Sequence, residues 1–252
     1  MNTGVSFGLA SDAYKSFRIE YPPALFTQIE HAGTSMRRNL AVDLGSGTGL
    51  SLPPLLQRFD RVIAVEPDAR MAEKIAHHEK LEINVSRAEK FDIDSGRVDL
   101  ITCATAFYWM DGPTVINHMI RWLHPDGLIA VYRYGFPKLP GTVANIVYRE
   151  LEQHWNAFRS PRLIDEEYTW RCFTSSDKLK DLSRVNIPNV VTMDASALTG
   201  FFSSTSYCSA YMRSIENAES YLAAFRKELL EAAGNDQLRV DFEVELVTAH
   251  RC

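Results

Sequence analysis

Eight residues constrain this chain more than any others: Val42-Asp43-Leu44-Gly45-Ser46-Gly47-Thr48-Gly49. The apolar run Leu40 to Leu44 stops at Gly45 and reads as a short buried strand. Leu50, Leu52, Leu55, Leu56 and Phe59 follow at helical spacing. Pro53 and Pro54 fit that helix only in its first turn. Glycines at alternate positions let the backbone turn sharply and let another molecule approach without Cβ interference. The segment is therefore a strand, a tight turn and a helix in succession.

The same rhythm repeats downstream. Arg61 to Val65 reads as a second strand, and Asp68 caps a helix carrying Met71, Ala72, Ile75 and Ala76. Leu81 to Val85 and Val98 to Cys103 read as a third and a fourth strand. Asp111 with Pro113 opens a helix through Leu123, and Pro125-Asp126-Gly127 turns into a fifth strand, Leu128 to Tyr132. Strands alternating with helices at this density predict a parallel sheet with crossover helices on both faces. After Tyr134 the rhythm breaks into a helix near Val143 to Leu151, a loop-rich aromatic segment, a strand at Asn189 to Met193 and a helix ending near Gly234. The apolar/polar alternation from Leu238 to Val247 predicts a half-exposed, antiparallel strand.

The predicted fold is α/β, a Rossmann-like doubly wound sheet of seven mostly parallel strands with an antiparallel last strand and a helical cap insertion. Residues 1–38 form an N-terminal arm or lid and 39–136 a binding core. Residues 137–205 form a cap over the acceptor site, including a late sheet strand near 189–193, and 206–252 complete the core. At 252 residues, 46% hydrophobic and 23% charged, the chain can bury a core without metal or disulfide staples. A net charge of -5 disfavours nucleic acid. Cys103, Cys172, Cys208 and Cys252 form no metal-binding pattern and read as reduced thiols, so no metal site is expected. The first residues lack a signal peptide's pattern, and no apolar run spans a bilayer, so the expected setting is cytoplasmic, as a monomer or homodimer.

Glu66 ends the second strand, where ligands of open α/β sheets bind, and its carboxylate can accept hydrogen bonds from both hydroxyls of a ribose. A dinucleotide calls for G-x-G-x-x-G with pyrophosphate at the helix start. Here the spacing is G-x-G-x-G, and Asp43 would repel a pyrophosphate but could pair with an α-amino group. An adenosine joined to an amino acid without phosphate, S-adenosylmethionine, fits better. A nicotinamide-dependent oxidoreductase and a binder of S-adenosylmethionine without methyl transfer are the rivals.

Further segments carry a resemblance. Val42 to Gly49, Val62 to Asp68, Ala104-Thr105-Ala106-Phe107-Tyr108-Trp109-Met110-Asp111 and Leu123-His124-Pro125-Asp126-Gly127 are similar to motifs of class I S-adenosylmethionine-dependent methyltransferases of the small-molecule type. Tyr14-Lys15-Ser16-Phe17-Arg18-Ile19-Glu20-Tyr21-Pro22 resembles the N-terminal arm of the trans-aconitate and antibiotic-pathway subgroup, with Ile19 where proline is usual. The resemblance implies that Asp43, Gly45 and Gly47 line the methionine part and Glu66 holds the ribose. It puts Pro67 and Met71 beside the sugar and adenine, and Ala88 and Glu89 over the adenine. Ala104 also borders the cofactor, and Arg18 is a candidate for the methionine carboxylate.

Methyl transfer from a sulfonium is an in-line displacement that chiefly needs alignment. A dry aromatic pocket suits the departing positive charge, and Tyr14, Phe107, Tyr108 and Trp109 are its candidates. Three consecutive aromatics cannot all face one side, so at least one is expected in the pocket. No histidine stands out as a general base, and no catalytic residue is assigned. Tyr14, Phe17 and Arg18 would share one face of a short helix, an arm suited to close over the cofactor.

Overall fold

The computed structural model describes residues 17–234 and 237–252. In chain order the elements are α1 (Pro23–Ala32), β1 (Leu40–Leu44), α2 (Leu52–Arg58), β2 (Arg61–Val65), α3 (Ala69–Ala72), β3 (Leu81–Asn84), β4 (Val98–Ala104), α4 (Gly112–Trp122) and β5 (Leu123–Tyr134). There follow α5 (Gly141–Glu150), α6 (Pro161–Ile164), α7 (Tyr168–Thr174), β6 (Leu179–Ile187), β7 (Val190–Met193), α8 (Ala195–Ser203), α9 (Ser206–Ser214), α10 (Ala218–Ala233), β8 (Leu238–Asp241) and β9 (Val244–Arg251). They divide into a sheet unit, residues 20–135, 165–187 and 244–252, and a helical unit containing residues 136–164 and 188–243 together with 17–19.

The sheet unit is a seven-stranded sheet in the order β3-β2-β1-β4-β5-β9-β6. β1 lies parallel between β2 and β4, with Val42 opposite Ile63 and Ile101. β9 runs antiparallel to both β5 and β6. This is the expected doubly wound sheet with an antiparallel last strand. All five β1 residues are buried, as a central parallel strand covered on both faces requires. Val115, Met119 and Trp122 of α4 pack into a core with Ile101, Ile129 and Val247, and Phe91 meets Trp122 edge-on at 5.2 Å. Asp111 caps α4 by accepting from the Thr114 amide, and Pro113 occupies its first turn, as the sequence indicates.

Two strands depart from the sequence reading. The alternation from Leu238 to Val247 is one pattern but two strands. β8 pairs with β7 as a separate two-stranded ribbon, while β9 enters the large sheet. The chain breaks at Phe242, whose amide donates to the Asn189 carbonyl, and both pieces are half-buried, so the alternation runs through unchanged. The strand at 189–193 therefore belongs to the ribbon. The seventh strand of the large sheet is β6, Leu-Lys-Asp-Leu-Ser-Arg-Val-Asn-Ile, which the sequence reading passed over. Its pairing shifts register between Lys180 and Ser183, and Asp181 sits at φ 52, so a bulge spoils the two-residue period.

The helical unit packs around Trp155, which is fully buried, stacked on Phe202 at 5.2 Å and edge-on to Phe225 at 5.4 Å. Phe201 meets Phe242 at 4.8 Å, tying α8 to the end of β8.

Candidate cofactor site

The glycine turn follows β1 at the carboxyl edge of the sheet. Gly45, Gly47 and Gly49 adopt φ values of 72°, 56° and 89°, which L side chains rarely take. At Gly45 a Cβ would also come within 2.5 Å of the Ala106 Cβ. At Gly47 it would meet only the Met71 methyl, at 3.6 Å, so the space above that residue is kept by the missing side chain. The Gly45 and Ser46 amides both donate to the Val65 carbonyl, at 2.8 and 3.2 Å, which ties the turn to the end of β2.

Glu66 begins where β2 ends and is 7% exposed. Its Oε2 accepts from the Gly47 amide at 2.8 Å and its Oε1 from the Asp68 amide at 2.9 Å. Each carboxylate oxygen carries two lone pairs, so each keeps one acceptor site beyond its backbone partner. Burial pushes the Glu66 carboxyl up from its ordinary value, opposed by the two amides. Asp43 is used differently. It is fully buried, with Oδ1 accepting from the Thr102 hydroxyl at 2.6 Å and Oδ2 from the Ser51 hydroxyl at 2.7 Å. Burial raises this carboxyl too, against those hydroxyl bonds. Asp43 thus has two hydroxyl partners inside the protein, one on each carboxylate oxygen. The residue braces β1 against β4 and the start of α2.

Pro67 is exposed beside Glu66, while Met71 is buried under the turn and Asp68 caps α3. Ala88 is buried, and the Glu89 carboxylate accepts from the Asp111 amide at 2.9 Å. Ala104 ends β4. Next comes Thr105, a β-branched residue at φ 51, whose hydroxyl shares a 2.7 Å hydrogen bond with the Tyr21 hydroxyl. Phe107, Tyr108 and Trp109 form a single 3-10 turn. Phe107 is 1% exposed between Phe173 and Tyr168, so its ring is core and not pocket wall: the β4 turn points it back under the sheet edge. Tyr108 is also buried, with its ring 5.2 Å from that of the partly exposed Trp109. Tyr168 pins the turn, donating to the Met110 carbonyl and accepting from the Gly112 amide, both at 3.0 Å.

Sequence reasoning missed Ser51, Thr102, Thr105 and Tyr168. Thr102, Thr105 and Tyr168 act through hydroxyls on partners far away in sequence, Ser51 through a hydroxyl just after the glycine turn, and no spacing rule announces any of them. Tyr14 lies outside the described residues, and with it most of the expected lid. Arg18 falls in the helical unit, where its Nη2 donates to the Ser204 carbonyl at 3.2 Å. Among the described residues no cluster of His, Cys, Asp and Glu could hold a metal ion, and no helix is long and apolar enough to cross a membrane.

The donor set matches an adenosine ligand. Two ribose hydroxyls are donors, and the Glu66 oxygens offer two remaining acceptor sites next to a glycine that leaves room. Comparison with known proteins agrees. Residues 42–131 match the family described as methyltransferase domain. A Dictyostelium discoideum protein named as a methyltransferase is 29% identical over 90% of this chain and 85% of its own. A solved protein from Anaeromyxobacter dehalogenans, named as a type II methyltransferase by similarity, superposes with a TM-score of 0.73 at 24% identity, covering 93% of this chain and 98% of that one. The phosphoethanolamine N-methyltransferase 2 of Haemonchus contortus, solved with S-adenosylhomocysteine, shares the fold at a TM-score of 0.54 and 13% identity, over 99% of this chain and 58% of that one.

Proposed function

We propose that this chain, similar over residues 42–131 to the methyltransferase domain family, is a class I S-adenosylmethionine-dependent methyltransferase that methylates a small-molecule acceptor by in-line displacement, with Glu66 as the anchor of the cofactor. The observation that carries this reading is the Glu66 carboxylate, fixed by the Gly47 and Asp68 amides with an acceptor site left on each oxygen. Bound at the turn, S-adenosylmethionine supplies an activated methyl group on a sulfonium.

The residues divide the work of alignment. Glu66 accepts from the ribose hydroxyls. Gly45 and Gly47 let the backbone come close to the methionine part. Asp43 acts as a positioning residue, holding the turn through Ser51 and Thr102. Met71 and Pro67 flank the sugar and adenine, and Ala88, Glu89 and Ala104 border them. Trp109 and Tyr108 keep water from the reacting centre, which strengthens every polar contact there. No general base is assigned, since a carboxylate acceptor needs none. We place the enzyme in the cytoplasm, where its four unpaired cysteines stay reduced, as a monomer or homodimer that does not engage nucleic acid.

Calorimetric titration with S-adenosylhomocysteine and with NADH tests the cofactor. Binding of NADH alone would reverse the reading. Transfer of labelled methyl into a metabolite extract identifies the acceptor, and tight cofactor binding with no labelled product in any extract would leave a binder without transfer.

A further inference from the structure

Around Asp43 the sheet unit gathers hydroxyls and no base. Thr102 on β4 and Ser51 just before α2 each donate to one carboxylate oxygen. A third hydroxyl, that of Tyr132 on β5, is buried, and its Oη has no hydrogen-bond partner. Burial and then the Asp43 charge push this hydroxyl far up, so it lies within the carboxylate's field. The Tyr21 ring, edge-on at 4.9 Å, and the Phe26 ring, at 6.4 Å, pack against the tyrosine. Among the described residues Asp43 forms no ion pair, and Glu66, on which its charge acts, accepts from two backbone amides. A buried carboxylate normally has a cationic partner or a metal. Here burial works against the Asp43 charge and the hydroxyls work for it, while no basic side chain among the described residues cancels it. Its field therefore reaches the glycine turn, two residues further along the chain, at a strength that water would not allow.

We propose that Asp43 reads the charge on the cofactor's sulfur, favouring the sulfonium of S-adenosylmethionine over the thioether of S-adenosylhomocysteine, with Tyr132 as a positioning residue that keeps the carboxylate ionised. When the methyl group moves to the acceptor, the electron pair of the broken S–C bond stays on sulfur, and one positive charge is lost there. The field of Asp43 then holds the spent cofactor less tightly than the fresh one, which favours their exchange. This inference rests on the methyltransferase reading and goes beyond it. A pairing of Asp43 with the α-amino group would favour neither molecule, since both carry that group.

The test titrates the full chain calorimetrically with S-adenosylmethionine and with S-adenosylhomocysteine, as wild type and as Asp43→Asn, which keeps the shape and removes the charge. S-adenosylmethionine affinity should drop about tenfold and S-adenosylhomocysteine affinity by less than about threefold, so the ratio of the two shifts toward the product. Equal losses for both molecules overturn the inference, because Asp43 would then serve the part they share or the turn itself. Unchanged affinities overturn it as well, because the carboxyl would then carry no charge. Tyr132→Phe keeps the test open should Asp43→Asn fail to fold. It should shift the same ratio in the same direction by about threefold, without lowering the unfolding free energy, since the hydroxyl has no partner to lose. An unchanged ratio in that variant, or a loss of stability in its place, gives the tyrosine a structural role and overturns its part. Wild type that binds both molecules with a ratio indifferent to Asp43 leaves the methyltransferase reading standing without this inference. Wild type that binds neither ends both.

Discussion

Glu66 in the sheet unit and Glu150 in the helical unit are both buried carboxylates, 7% and 5% exposed, yet their oxygens are used in opposite ways. Glu66 is held by two backbone amides, both within 20 residues of it in sequence. Glu150 is held by side chains. Arg149 donates twice to Oε1, and the Tyr221 hydroxyl donates to Oε2 at 2.7 Å while accepting from the Trp155 indole at 2.8 Å. The Tyr221 hydroxyl is pushed far up by burial and by Glu150 beside it. One carboxylate is fixed by the backbone with acceptor sites to spare; the other closes a network that stabilises packing. Burial of a charge thus marks a site only when its partners leave something over.

The largest effect should come from removing the closed network's central ring. Trp155→Ala deletes a fully buried indole stacked on Phe202 and removes the donor to the Tyr221 hydroxyl. A loss of about 3–5 kcal/mol in urea unfolding is expected. A loss under about 1 kcal/mol would mean that the ring does not organise the helical unit.

Glu66→Ala should act on binding and hardly on stability. Two hydrogen bonds to a charged acceptor vanish, so S-adenosylhomocysteine affinity should drop about tenfold or more. Unfolding free energy should change by less than about 1 kcal/mol, since the lost amide bonds are offset by release of a buried charge. The pH dependence sharpens the contrast. Glu66 titrates above its ordinary 4.5 in the folded protein, so in that window the folded state binds more protons than the unfolded one. Its contribution to stability therefore rises as pH falls, while affinity for a ribose falls because the protonated carboxyl loses acceptor capacity. Glu66→Gln should flatten the affinity profile. An unchanged profile would assign the dependence to another group.

The same contrast explains what the sequence discloses. β1, the glycine turn and Glu66 are legible because every constraint on them is local: an apolar run, three glycines, a carboxylate at a strand end. The roles of Ser51 and Thr102 are not, because Thr102 reaches Asp43 from 59 residues away and a hydroxyl carries no pattern. β6 is hidden for another reason. It is an edge strand whose bulge at Asp181 breaks the period and whose exposed face carries Arg184, paired with Glu167 and Glu245. Phe107 shows the limit of composition: three aromatics in a row announce an unusual turn, but only packing tells which ring faces inward.

Backbone strain separates the two units as well. Among the described residues, the non-glycine residues with positive φ are Thr105 and Asp181, both in the sheet unit. Thr105 at φ 51 costs about 1–2 kcal/mol, roughly offset by its hydrogen bond to Tyr21 and its place in the turn after β4. Thr105→Gly removes the strain but also the bond, and adds about 0.5–1 kcal/mol of unfolded-state entropy. Its net effect on unfolding should be close to zero. Thr105→Ala keeps the strain and loses the bond, so it should be less stable than the glycine variant by a few tenths to about 1 kcal/mol. Tyr21→Phe removes the same bond from the other side and should match the loss seen on going from threonine to alanine. If alanine proves more stable than glycine at 105, the left-handed backbone there is not strained, and the energetic distinction between the open site and the closed network reduces to hydrogen bonding alone.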